Sequence, residues 1–140
     1  MGEVLLDKYV WKDDYKVNIA SIDKHHQNFV ELLNDLIGTV STSKCKENIA
    51  ITFYKLIYYA ENYFTEEELL FQSKNYPNLE QHKAEHKAFA DKINIFKNQF
   101  LEGKDNICLH LLAFLQKWFH EHILQYDKEA VDFLIENGVS

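Results

Sequence analysis

The stretch Asn75-Tyr76-Pro77-Asn78-Leu79-Glu80-Gln81-His82-Lys83-Ala84-Glu85-His86-Lys87-Ala88-Phe89 decides the fold. Pro77 disfavours helix for the residue before it, and Asn78 can cap a helix that follows. Two histidines four residues apart then share one helix face. Leu79, Phe89, Ile93, Phe96 and Phe100 lie on that face too, at steps of three and four. His82 and His86 therefore occupy positions that the apolar pattern reserves for a core. Two imidazoles there need partners.

The other segments read the same way. A first helix over about 21–40 carries the stripe Ile22, His26, Phe29, Leu33, Leu36, Val40, with Ser21 as its cap. A second, over about 44–74, carries Ile49, Phe53, Leu56, Ala60, Tyr63, Glu67, Leu70. The third covers about 79–101 and stops at Gly103; the fourth, capped by Asp105, covers about 105–136. Its stripe is Cys108, Leu111, Leu115, Trp118, His122, and then shifts by one residue to Asp127, Val131 and Leu134. Five residues of regular helix would leave His122 and Asp127 roughly 140° apart. The shift predicts a π-bulge between them. Four stripes joined by short links specify an all-α, antiparallel up-down-up-down four-helix bundle. Residues 1–20 read as an extended arm that buries Trp11, Tyr15, Val17 and Ile19 over the body, and 1–140 as one domain.

Composition narrows the function. The chain has 140 residues, 46% of them hydrophobic, with a single Pro. That is enough to bury a core and favours long helices. A net charge of -7 without any Arg argues against nucleic acid as a partner. No apolar run spans a membrane and no signal pattern opens the chain. Cys45 and Cys108 fit neither a disulfide framework nor a zinc motif. These features predict a soluble, cytoplasmic protein with two free thiols, compatible with a monomer.

Seven polar residues fall in the seams: His26, Tyr63, Glu67, His82, His86, His122 and Asp127. An unpaired buried polar group costs about 2–7 kcal/mol, so the set must pair internally or hold something. Four imidazoles and two carboxylates without thiolate suit iron, manganese or zinc, and two ions better than one. The Glu-x-x-His pairs of ferritin-like di-iron bundles are absent from the sequence.

The spacing resembles that of the hemerythrins, specifically the bacterial single-domain type. The resemblance takes in Trp11, Tyr15, residues 17–26, Tyr63-Phe64-Thr65-Glu66-Glu67, Tyr76-Pro77, His82 with His86, residues 118–123 and Asp127. It implies a non-haem di-iron centre with an oxo or hydroxo bridge that binds O2. One iron would take His82, His86 and His122; the other would take His26 and residue 63. Glu67 and Asp127 would bridge them. The family has His where this chain has Tyr63, which either ligates as phenolate, favouring ferric iron and an oxidase or peroxidase activity, or stays neutral and leaves one iron short. A bundle holding a single metal is a further alternative. Trp118 and Phe119 would line the ligand pocket, Phe119 replacing a usual Leu. His25, His110 and His120 read as solvated; His25 would substitute for an imidazole only if its helix rotated.

Overall fold

The computed structural model describes residues 6–139. Its described residues form four helices. Helix α1 is Ala20–Ser41. Helix α2 covers residues 45–73, as α-helix over Cys45–Tyr59, a π-helical turn over Ala60–Phe64 and α-helix again over Thr65–Ser73. Helix α3 is Leu79–Leu101. Helix α4 covers residues 107–136, again interrupted: α-helix over Ile107–Trp118, π-helix over Phe119–Asp127, then α-helix over Lys128–Glu136. Helix α1 packs on α2 and α4, and α3 packs on the same two. That neighbour relation, with connections too short to cross the bundle, is the up-down-up-down arrangement the four stripes predict.

The predicted bulge between His122 and Asp127 is present, spread over nine residues. The break in α2 was not foreseen from the stripe. It moves the buried face from Tyr63, which is half-exposed, to Phe64, which is 5% exposed. The buried positions then run Leu56, Tyr59, Phe64, Glu67, Phe71, with the single step of five spanning the π turn.

Helix ends also differ from expectation. Helix α1 starts one residue before Ser21, and its entry is held by Asp23, whose carboxylate accepts from the Val17 and Asn18 N–H groups at 2.8 and 3.1 Å. Asn106, in a left-handed conformation, precedes α4 where Asp105 was expected to cap it. Gly103 follows α3 at φ +80°, a conformation that favours glycine.

Two apolar clusters divide the core. The larger includes Phe29, Leu33, Leu56, Phe89, Leu111 and Phe119; the smaller includes Ile22, Phe71, Tyr76, Val131 and Leu134. On each helix the polar seam residues fall between the two. Fully burying each large apolar side chain contributes about 1.5–3 kcal/mol, so the polar layer is clamped from both ends. The arm closes one side. Tyr9 and Tyr15 meet Phe119 edge-on at 5.3 and 5.1 Å. The Tyr9 backbone exchanges hydrogen bonds of 2.7 and 2.9 Å with the Asn34 side chain. The first five residues of the expected arm lie outside the described residues.

The expectation of two free thiols is corrected. Cys45 and Cys108 form a disulfide with a Cα–Cα separation of 6.0 Å. The antiparallel topology brings the start of α2 beside the start of α4, a proximity that a separation of 63 residues does not reveal. Such bridges persist in oxidising surroundings, so the thiols give no support to a cytoplasmic placement. No described helix is long and apolar enough to cross a membrane. Closing a loop of this size should contribute about 4 kcal/mol. Chemical denaturation of the double variant Cys45→Ser/Cys108→Ser should show a loss of that order. Equal midpoints for variant and oxidised parent would contradict the bridge.

Candidate metal centre

The bundle brings six of the seven seam residues together. His26 comes from α1, Glu67 from α2, His82 and His86 from α3, His122 and Asp127 from α4, and each is at most 4% exposed. They form two groups of donors that share Asp127: His82, His86, His122 with Asp127, and His26, Glu67 with Asp127. Asp127 Oδ1 is 2.8 Å from His82 Nε2 and 3.1 Å from His122 Nε2, while its Oδ2 is 3.0 Å from His26 Nε2. Glu67 is placed alike: Oε1 lies 3.5 Å from His86 Nε2 and Oε2 lies 3.9 Å from His26 Nε2. Each carboxylate thus presents one oxygen to each group.

The orientation matters as much as the distances. Nε2 of His82, His86 and His122, Oε1 of Glu67 and Oδ1 of Asp127 have no hydrogen-bond partner among the described residues. Atoms that approach to between 2.8 and 3.5 Å yet are not aligned to hydrogen-bond one another are aimed at a common point. Buried orphans of this kind are costly unless something fills that point, and a cation is what this donor set fits.

Neighbours fix the rings. Glu68 Oε2 accepts from His86 Nδ1 at 2.7 Å, which leaves Nε2 free toward the centre. Phe64 stacks on His86 at 3.9 Å and Trp118 on His122 at 3.8 Å. Trp118 and His122 also line a half-open cavity of about 390 Å³ with Phe89, Phe114 and Tyr126. Phe119, expected with Trp118 at the ligand pocket, is fully buried and packs against Tyr15 of the arm and Phe29.

Tyr63 stands apart from the six. Its Oη accepts from Asn28 Nδ2 at 2.7 Å, and its side chain lines an outer cavity with Asn28, Leu32, Tyr54 and Tyr58. The π turn that carries Phe64 inward turns Tyr63 toward the α1–α2 surface. The reading of His25 as solvated is corrected: it is 6% exposed, and its Nε2 lies 2.7 Å from Glu66 Oε2. A step of five between Tyr59 and Phe64, like that between His122 and Asp127, is the signal that could have located the break.

Charge shapes the titration of the metal-free protein. Burial would raise Asp127, but the imidazole charge of His122, the hydrogen bond with His26 and the close approach of His82 outweigh it and hold its carboxyl well below the usual range. Burial would lower His26, but the hydrogen bond and charge of Asp127, then Glu67 and Asp23, outweigh it and raise it. Asp127 therefore contributes stability that is present above about pH 4 and lost as pH falls through its folded value. The His26 contribution is full below about pH 6.5 and lost as pH rises through its folded value. Thermal melts in the presence of a chelator should accordingly give a higher Tm at pH 6 than at pH 8. The reverse order would contradict this electrostatic account.

Comparison with known proteins agrees with this geometry. The family model described as Hemerythrin HHE cation binding domain matches residues 17–134. A bacteriohemerythrin of Clostridium acetobutylicum is 32% identical over 128 residues, covering 89% of this chain and 99% of that protein. One from Stenotrophomonas maltophilia is 29% identical, covering 88% and 79%. A myohemerythrin of Theromyzon tessulatum is 26% identical, covering 84% and 86%. With a match across the whole bundle and a cluster of buried donors at its centre, the chain belongs to the hemerythrin family.

Proposed function

We propose that this chain is a non-haem di-iron protein that binds O2, with His82, His86 and His122 holding one ion and His26 the other. Glu67 and Asp127 would each offer one oxygen to each ion. The observation that carries the reading is the placement of the two carboxylates, each with one oxygen toward each donor group. Membership of the hemerythrin family supports iron as the metal. Bound iron would supply an exchangeable coordination position and the one-electron redox steps on which O2 binding depends.

The protein's own part is to hold and shield. The stacked rings of Phe64 and Trp118 lock two imidazoles, and the apolar clusters on either side exclude bulk water from the layer between them. The cavity beside Trp118 and His122 gives a small molecule an approach from solvent. The alternative of oxidase or peroxidase chemistry drew on a phenolate ligand. With the Tyr63 hydroxyl held by Asn28, that ligand is left out of the proposed set.

Metal analysis and optical spectra test the proposal. About two irons per chain are expected, and the reduced protein should change colour reversibly when cycled between O2 and argon. Protein that takes up no iron, or that oxidises without ever forming a reversible adduct, would contradict it. Removing the outer partner of His86 by Glu68→Ala should weaken iron binding by about 10–100-fold while leaving the fold intact. Unaltered affinity in a competition titration would show that Glu68 does not tune the site.

A further inference from the structure

The two donor groups are unequal. One has three imidazoles and the other only His26, so an ion held by His26, Glu67 and Asp127 is short of nitrogen. An unused nitrogen close to Glu67 belongs to His25. Its ring is 6% exposed, and its Nδ1 has no hydrogen-bond partner among the described residues. That atom lies 4.0 Å from Glu67 Oε2, and His26 Nε2 lies 3.9 Å from the same oxygen. Donors on one ion, each about 2.1 Å from it, stand at most about 4.2 Å apart. The His25–Glu67 and His26–Glu67 separations fall within that reach. His25 stands outside the set of donors that all lie within 4.8 Å of one another, so its ring turns toward His26 and Asp127 when an ion binds. At 4.0 Å the Nδ1 atom is too far from Glu67 for a hydrogen bond, so the carboxylate alone does not account for its burial.

The surroundings of His25 repeat those of His86. On His86 one ring nitrogen meets Glu68 at 2.7 Å, the other is unpartnered and points to the centre, and Phe64 stacks at 3.9 Å and 5°. On His25 one ring nitrogen meets Glu66 at 2.7 Å, the other is unpartnered and faces Glu67, and Tyr63 stacks at 4.1 Å and 7°. The run Glu66-Glu67-Glu68 therefore sends its middle member inward and its outer members to the far nitrogens of two histidines. A carboxylate on the outer nitrogen fixes the proton there and frees the inner lone pair. Tyr63 and Phe64, neighbours on the π turn, each give one of these rings a platform.

We infer that His25, through Nδ1, is the second nitrogen ligand of the ion held by His26, Glu67 and Asp127, with Tyr63 as its stacking platform and Glu66 as its proton anchor. The inference rests on the two-ion reading above. It assigns Tyr63 a role that needs the ring and not the hydroxyl. The ring holds His25 while Asn28 keeps the oxygen turned away.

Anaerobic ferrous titration of the metal-free full chain, followed by an optical spectrum of the oxidised form, tests it. The parent should bind two irons and show no phenolate-to-iron charge-transfer band. His25→Phe keeps a flat ring against Tyr63 but removes the donor. It should keep the melting temperature of the metal-free parent yet lose more than about tenfold in affinity for the second iron. His25→Ala should show the same loss, with two irons restored by added imidazole. This second variant keeps the test open if the Phe ring does not fit. Tyr63→Phe should still bind two irons. Two irons at parental affinity in both His25 variants would overturn the inference and leave the di-iron reading standing. A charge-transfer band lost in Tyr63→Phe would overturn it as well. A parent that binds fewer than two irons would instead sink the di-iron reading on which it rests.

Discussion

Everything in this bundle depends on an unbalanced layer of buried polar atoms. His26, Glu67, His82, His86, His122 and Asp127 sit between two apolar clusters, each at most 4% exposed. Eight of their side-chain atoms have no hydrogen-bond partner among the described residues although other donors and acceptors lie close by. At roughly 2–7 kcal/mol for each unpaired group, such a layer would consume most of the stability expected of a domain this size, about 5–15 kcal/mol. The depressed Asp127 and raised His26 offset part of that cost in the metal-free chain. Cations at the points where the donors converge offset it far more directly.

The two π-helical segments make the convergence possible. A regular helix cannot put residues five apart on one face. The segment Phe119–Asp127 does so for His122 and Asp127, and the segment Ala60–Phe64 does so for Tyr59 and Phe64. The first delivers the carboxylate that both donor groups share. The second swings Phe64 under His86 and Tyr63 under His25, leaving Glu67 between them. Such insertions cost regular hydrogen bonding and are found mostly at functional sites, and both of these flank the polar layer.

Much of this was legible in the chain itself, for identifiable reasons. His82 and His86 stand four apart inside an apolar stripe, so their inward direction follows from helix geometry alone. The shift at His122 and Asp127 was visible because both its ends are polar residues in an apolar seam. The break at Ala60–Phe64 was hidden, since Tyr63 is aromatic and continues the three-four count without conflict. His25 was misread because it lies about 100° around the helix from His26. In the structure α1 is covered by both α2 and α4, and that wider arc takes in both rings. The Cys45–Cys108 bridge had no local signal, because its proximity is a property of the topology and not of the spacing.

The central claim is that the two donor groups hold two ions joined by Glu67 and Asp127. Anomalous diffraction at the iron absorption edge, from crystals of the iron-loaded protein, addresses it without reference to activity. The account predicts two peaks about 3.5–4 Å apart, one against His82, His86 and His122 and the other against His26, with the two carboxylates spanning them. A single peak, or none within the bundle, would contradict it.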